Sequence, residues 1–242
     1  DLFMTLTQSL RDMLTSAGAG LVGVADLRSI TERERPDLPL GVSIVAALTP
    51  RIIAGIADGP THEYEGEYNR ANAVLTELAG RGASFLREAG YAAEAYAASV
   101  GNYDRITWTS SLPHKLAAVR SGLGWIGKSD LFVTKEFGSA VRLSTILTNA
   151  PLEAGDPVEV SGCGACGECV KICPAHAPSG RTWRAGLHRD EFVDIRACAA
   201  ELLRLKEEHG FGHMICGRCI AACPWTKRWL AANGERGAGT AL

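Results

Sequence analysis

A mixed α/β domain followed by a smaller cysteine-rich domain is the fold class this chain predicts, and three observations predict it. Apolar runs of strand length alternate with segments of helical period in the amino-terminal two thirds. All eight cysteines lie after residue 160. Between the two regions, NAPLEAGDPVEVS (149–161) carries Pro, Gly and acidic residues and reads as a boundary. The expected division is 1–158 for the α/β domain and 159–232 for the cysteine domain, with a flexible Gly-rich tail at 233–242.

Taken in order, TQSLRDMLTSAG (7–18) has apolar residues at helical spacing and a Gly where a helix would stop. LVGVAD (21–26) and GVSIVAALT (41–49) read as buried strands on either side of a polar, Pro-bearing segment. Residues 67–88 predict one or two helices broken near Gly80 and Gly82. YAAEAYAAS (91–99) alternates large and small residues as a strand does, and PHKLAAVRS (113–121) is a short helix with Pro in its first turn. DLFVT (130–134) and AVRLSTILT (140–148) complete the strands, and EFVDIRACAAELLRLKEEHG (191–210) predicts a helix among the cysteines.

Charge and hydropathy bound the function. The 25 basic and 27 acidic residues leave a net charge of -2, so no global field attracts nucleic acid or an anionic membrane. No apolar run reaches the roughly 18 residues that a membrane span needs, and the first residues lack a signal-peptide core. A cytoplasmic protein with no membrane partner is expected, and in that compartment clustered cysteines bind metal more often than they form disulfides.

The stretch GLGWIGKS (122–129) fits the phosphate-loop pattern G-x-x-x-x-G-K-[ST]. A working phosphate loop follows a strand and opens a helix, whose first N–H groups face the phosphates. Here the helix precedes the glycines and a strand follows, so Gly122 reads as the residue that ends a helix, and ATP is not an expected ligand. Three glycines around Trp125 imply close backbone approach, either to a flat ligand or to the chain's own core.

The cysteines carry the chemistry. Cys163-x2-Cys166-x2-Cys169-x3-Cys173-Pro174 is the bacterial iron–sulfur run, in which the fourth Cys serves the other cluster. Cys216-x2-Cys219-x3-Cys223-Pro224 repeats it without the first Cys, and Cys198 supplies the missing ligand. By that exchange Cys163, Cys166, Cys169 and Cys223 hold one [4Fe-4S] cluster, and Cys173, Cys198, Cys216 and Cys219 hold the other. Structural zinc and disulfides are the competing uses of eight cysteines, but neither accounts well for the triple run ending in Cys-Pro. Two adjacent clusters conduct electrons, which points to electron transfer or reduction.

With these residues in view, KLAAVRSGLGWIGKSDLFVTKEFGSAVRLSTILTNAPL (115–152), CGACGECVKICPAHAPSG and ICGRCIAACPWTKRW resemble the epoxyqueuosine reductases, two-cluster enzymes related to the reductive dehalogenases. The resemblance implies a nitroreductase-like α/β domain that holds a cobalamin, followed by a ferredoxin-like dicluster domain fed by an external low-potential electron donor. It places Gly122, Gly124, Trp125, Gly127 and Lys128 at the border of the corrin.

Three departures qualify the substrate. The family's acidic proton donor lies just before the helix leading to the Gly loop, and TWTSSLPH (107–114) has no carboxylate there. Asp104 and His114 are the substitute catalytic candidates, with Tyr103 beside the first. Only 19 residues follow Cys223, too few for the extension with which many members grip tRNA, and the charge is slightly acidic. Arg218, Lys227 and Arg228 with Trp225 and Trp229 would form a local basic and aromatic patch, but tRNA is not the favoured partner. The expectation is an iron–sulfur oxidoreductase of the epoxyqueuosine reductase-like group, with two alternatives. One is a non-catalytic electron carrier or reductive activator of a corrinoid protein; the other is a tRNA epoxyqueuosine reductase with a substituted proton donor.

Overall fold

The computed structural model describes residues 4–31, 37–99 and 113–234. The elements in chain order are α1 (Leu6–Ser16), β1 (Leu21–Asp26), α2 (Arg28–Thr31), β2 (Leu40–Ala47), α3 (Pro50–Ala54), α4 (His62–Glu88), β3 (Ala93–Tyr96) and α5 (His114–Arg120). They continue with β4 (Trp125–Ile126), β5 (Phe132–Val133), β6 (Val141–Thr148), α6 (Glu168–Ile172), α7 (Ile195–His209), α8 (Arg218–Ala222) and α9 (Pro224–Gly234).

Two compact units divide the described chain. The first takes the residues up to Ala46, Ala71–Gly124 and Arg142–Val158; the second takes Ala47–Arg70, Trp125–Val141 and the residues from Glu159 onward. The cysteine unit therefore includes two segments from inside the region expected to be the α/β domain. Neither segment carries a cysteine, so the cysteine count alone does not assign them.

The first unit is a four-stranded sheet in the order β1-β2-β6-β3 with helices on both faces. β1 and β2 pair antiparallel from Leu21↔Val45 to Asp26↔Leu40, and β3 pairs antiparallel with β6 from Ala93↔Thr148 to Tyr96↔Thr145. The period-two alternation of strands decides which face each residue covers. Val24, Val42, Ile44 and Ile146 pack with Leu10 and Leu14 of α1 and with Leu75, Leu78 and Leu86 of α4. Ala25 and Leu147 turn the other way, toward Ala117 of α5.

Contrary to the expected break, α4 is one helix of 27 residues that runs through Gly80 and Gly82. Packing explains the second glycine. A Cβ on Gly82 would lie 2.5 Å from Ile146 Cδ1, so the missing side chain lets the helix lie close on the sheet. The burial of Leu75, Leu78 and Leu86, each worth roughly 1.5–3 kcal/mol, outweighs the cost of about 1 kcal/mol per helical Gly.

The second unit is built from short elements. β4 and β5 form a hairpin with Trp125↔Val133 and Ile126↔Phe132 opposed, and α6 packs against α8 while α3 packs against α8 and α9. Polar ties hold its loops: Glu65 Oε1 accepts from the His213 N–H at 2.9 Å, and Arg218 Nη2 donates to the Asp58 carbonyl at 2.5 Å. Both ties anchor the chain around Cys216.

Candidate iron–sulfur site

The two cysteine runs fold as copies of one device. In each, a Cys-Gly pair precedes a five-residue helix: Cys166-Gly167 before α6 and Cys216-Gly217 before α8. The helix carries Cys169 or Cys219 in its first turn and ends at Cys173 or Cys223. A residue before proline is pushed out of the helical region, and Cys173 (φ -70°, ψ 115°) and Cys223 (φ -61°, ψ 125°) are both extended. Pro174 and Pro224 thus end each helix and turn its last thiol away from the others. Cys198 sits in the first turn of α7, whose start is fixed by Asp194 accepting from the Arg196 and Ala197 N–H groups.

No disulfide joins any two of the eight cysteines. Burial pushes Cys169 up to about 11, with Cys163, Cys166 and Cys223 adding to the rise. Burial likewise pushes Cys198 up to about 11, here with Cys173 and Cys216 adding. Cys219 is raised further, first by burial and then by Cys216 and Cys198. Such thiols hold their protons until a metal takes their place. Cys169 thus has Cys163, Cys166 and Cys223 around it and Cys198 has Cys173 and Cys216, while Cys219 has neighbours from both sets, with Cys169 and Cys173 also acting on it.

The first group rings a space rather than a point. A cavity of about 80 Å³ is lined by Cys163, Cys166, Cys169, Cys219 and Cys223 together with Lys128. A single zinc ion draws four ligands to within about 2.0–2.3 Å of one centre. Among the described residues no three His, Cys, Asp or Glu side chains converge in that way. Thiols spread around a shared space suit a cubane, whose four irons are each held by one thiolate.

The GLGWIGKS residues separate. Gly122 and Gly124 belong to the first unit, whereas Trp125, Gly127 and Lys128 belong to the second. Gly122 ends α5 with φ +79°, and a Cβ there would lie 2.7 Å from the Asp156 carbonyl oxygen. Gly127 is close to Cys163: a Cβ on it would lie 3.0 Å from Val133 and 3.6 Å from Cys163 Sγ. Trp125 is buried, with Gly162 against its ring and Trp225 edge-on at 5.2 Å, and its Nε1–H has no partner among the described residues. Lys128 is also buried, and its ammonium donates to the Cys166 carbonyl at 2.8 Å. After Lys128 comes a turn and then β5, not the helix of a phosphate loop. The sequence did not place Lys128 among the cysteines: it stands beside Ser129 and Asp130 in the turn of a short hairpin, where a basic residue ordinarily reads as solvated.

The other candidates are placed as follows. Asp104 and Tyr103 lie outside the described residues. His114 is partly buried with both ring nitrogens engaged: Nε2 donates to the Ala97 carbonyl at 2.9 Å, and Nδ1 lies 2.9 Å from Thr145 Oγ1. A carbonyl can only accept, so Nε2 carries a proton and directs it at Ala97, while Nδ1 is taken up by the Thr145 hydroxyl. As placed, His114 ties α5 to β6 and offers no free proton to a substrate. The expected basic and aromatic patch is also broken up. Trp229 is buried edge-on to Phe137, Arg218 is held at Asp58, and only Arg228 stacks over Trp225, at 4.5 Å.

A pH prediction follows from His114, whose pKa is lowered by burial and by Arg142 despite the hydrogen bond to Ala97. The unfolded chain takes up this proton near pH 6.5 and the folded chain only at lower pH. Its contribution to stability is therefore complete above about pH 6.5 and is lost as the pH falls toward the lowered folded value. Urea midpoints at pH 7.5 and 5.5 should differ more in the parent than in His114→Gln. An equal or reversed difference overturns the assignment.

Residues 162–226 match the 4Fe-4S double cluster binding domain family. The class is thereby defined: the cysteine unit is a dicluster domain, and two [4Fe-4S] clusters are its cofactors. More particularly, the chain is similar to epoxyqueuosine reductases. It is 34% identical to the epoxyqueuosine reductase of Atelocyanobacterium thalassa over 131 residues, which are 50% of this chain and 40% of that protein. The chain thus spans about two fifths of the length of that relative. Two solved structures show the fold. One is an epoxyqueuosine reductase with an epoxyqueuosine-modified tRNA-Tyr stem loop (TM-score 0.62, 21% identity, 92% of this chain and 65% of that one). The other is a reductive dehalogenase described with a mechanism for B12-dependent dehalogenation (TM-score 0.67, 19% identity, 94% and 33%). Among the described residues no helix is long and apolar enough to cross a membrane.

Proposed function

We propose that this chain is an iron–sulfur oxidoreductase that accepts single electrons from an external low-potential donor and relays them through two [4Fe-4S] clusters for the reduction of a substrate. The interlocked thiol groups carry the proposal. Cys163, Cys166, Cys169 and Cys223 hold one cluster; Cys173, Cys198, Cys216 and Cys219 hold the other. The clusters supply one-electron chemistry when bound. The protein's own part is to present the thiols from loops and from the starts and ends of helices, and to limit water at the sulfurs, which tunes the potential.

Cobalamin is the acceptor that the likeness to the reductive dehalogenase supports. Of the residues assigned to it from sequence, three have partners within their own unit. Gly122 and Gly127 already approach the chain's own atoms, and Lys128 is directed at Cys166. These contacts account for both glycines and the lysine without a corrin.

Metal and cofactor analysis of anaerobically purified protein tests the proposal. About eight irons per chain, as two four-iron clusters require, are expected. Cobalt at roughly one per chain would add the cobalamin acceptor, while full iron without cobalt would favour an electron carrier or reductive activator. Zinc in place of iron would overturn every form of the proposal.

A second reading, reduction of epoxyqueuosine in tRNA, is favoured by the relatives' activity and by the neighbour with a bound stem loop. Purified protein incubated with epoxyqueuosine-containing tRNA and a strong reductant should yield queuosine, and Asp104→Asn should abolish it while His114→Ala should not. Absence of product from fully iron-loaded protein would sink this reading.

A further inference from the structure

Among the described residues Lys128 is a buried cation that forms no ion pair with a carboxylate. It is 7% exposed, and its one hydrogen bond goes to the neutral Cys166 carbonyl. Moving an ammonium out of water into such a place is costly unless an opposite charge lies nearby. Lys128 lines the cavity that holds Cys163, Cys166, Cys169 and Cys223, all four thiols of the first group, with Cys219 the one member of the second group beside them, and Gly127 before it is close to Cys163 Sγ. A [4Fe-4S] core held by four thiolates is net negative, and becomes more so on reduction.

We propose that Lys128 is the fixed countercharge of the cluster held by Cys163, Cys166, Cys169 and Cys223, and that it holds this cluster at a higher potential than its neighbour. The proposal rests on the ligand assignment above. The ammonium stabilises the reduced, more negative state over the oxidised one, so it favours electron arrival at this cluster. Burial is what gives one charge this weight, because water and salt screen exposed charges strongly. Lys171 near Cys166 is exposed and paired with Glu168 at 2.9 Å, so it competes poorly. The other group sees charges of both signs, with Asp130 and Glu201 facing Cys198 and Arg218 facing Cys216. The asymmetry directs electrons from the Cys198 cluster to the Lys128 cluster.

Lys128→Gln and Lys128→Arg in the full chain, reconstituted anaerobically, test the idea by iron content and by EPR-monitored redox titration. In Lys128→Gln, one midpoint should fall by at least about 59 mV, a tenfold change in a one-electron equilibrium. The second midpoint should stay in place, and Lys128→Arg should keep both near the parent's values. Full iron with both midpoints unmoved, or with both moved equally, overturns the role of Lys128 while leaving the clusters intact. Parent protein that takes up no iron overturns the cluster assignment itself. If Lys128→Gln loses iron, Lys128→Arg decides: full iron at the parent potential supports the countercharge, and loss of iron there too overturns it.

Discussion

A chain carrying Cys163→Ala and Cys223→Ala should retain about four irons and one unperturbed cluster signal, although the two residues belong to different motifs and are 60 positions apart (163 to 223). The crossed assignment gives both thiols to one cluster, so the pair leaves that cluster with two ligands and the other with all four. Cys163→Ala with Cys173→Ala should behave differently. These two belong to one motif but to different clusters, so each cluster keeps three ligands and both signals change. Were the ligands not exchanged, the outcomes would swap: the first pair would perturb both clusters and the second only one. Iron analysis with low-temperature EPR of the reduced proteins separates the cases. The physical basis is the Cys-Pro step. Because Cys173 and Cys223 are forced into extended backbone at the end of a short helix, their thiols cannot follow the turn of the three residues before them.

That part of the site was legible because spacing along the chain encodes it. Two Cys-Gly-x-Cys-x3-Cys-Pro segments specify local backbone that no distant contact needs to choose, and the count of seven motif cysteines pointed to Cys198 as the eighth. The sheet was legible for a similar reason: LVGVAD and AVRLSTILT are short runs rich in β-branched residues, which suit buried strands. The failures lie where a distant partner decides. The helix through Gly80 and Gly82 depends on Ile146, more than 60 residues away, accepting the close approach that Gly82 permits. The resemblance sets Lys128 at the border of a corrin, and the structure adds a contact that no motif announces. Lys128 lies in a site suited to negative charge, and the chain brings it there through Cys166 and Cys163, which no local pattern reveals. His114 has a convenient pKa in isolation, and only Ala97 and Thr145 show that both its nitrogens are committed.

The costliest single substitution outside the cysteines should be Gly138→Ala. Gly138 has φ +60°, and its carbonyl accepts from the Thr134 N–H at 2.9 Å to close a tight turn after β5. A Cβ there would lie 2.5 Å from both Cα and Oγ1 of Thr226, which is fully buried. The obstacle is backbone in the first turn of α9, so it cannot rotate away as a side-chain tip would. Thr226 is fixed in turn by accepting from the Ser139 N–H at 3.0 Å. Left-handed backbone costs an alanine roughly 1–2 kcal/mol, and forcing a methyl into packed surroundings adds about 1–3 kcal/mol. A total of roughly 2–5 kcal/mol is a large share of the 5–15 kcal/mol by which a typical domain is stable. Gly210→Ala is the control, since Gly210 has φ +69° with nothing within 4 Å of the added Cβ and should show the backbone cost alone. Denaturant midpoints of the iron-loaded proteins should therefore fall much further for Gly138→Ala. Iron loss should also be faster in that variant, because relief of the clash moves the turn of α9 that follows Cys223. Equal midpoints for the two variants would mean that Gly138 and Thr226 are not packed as described, and that the hairpin after Lys128 does not brace the fourth ligand of the first cluster.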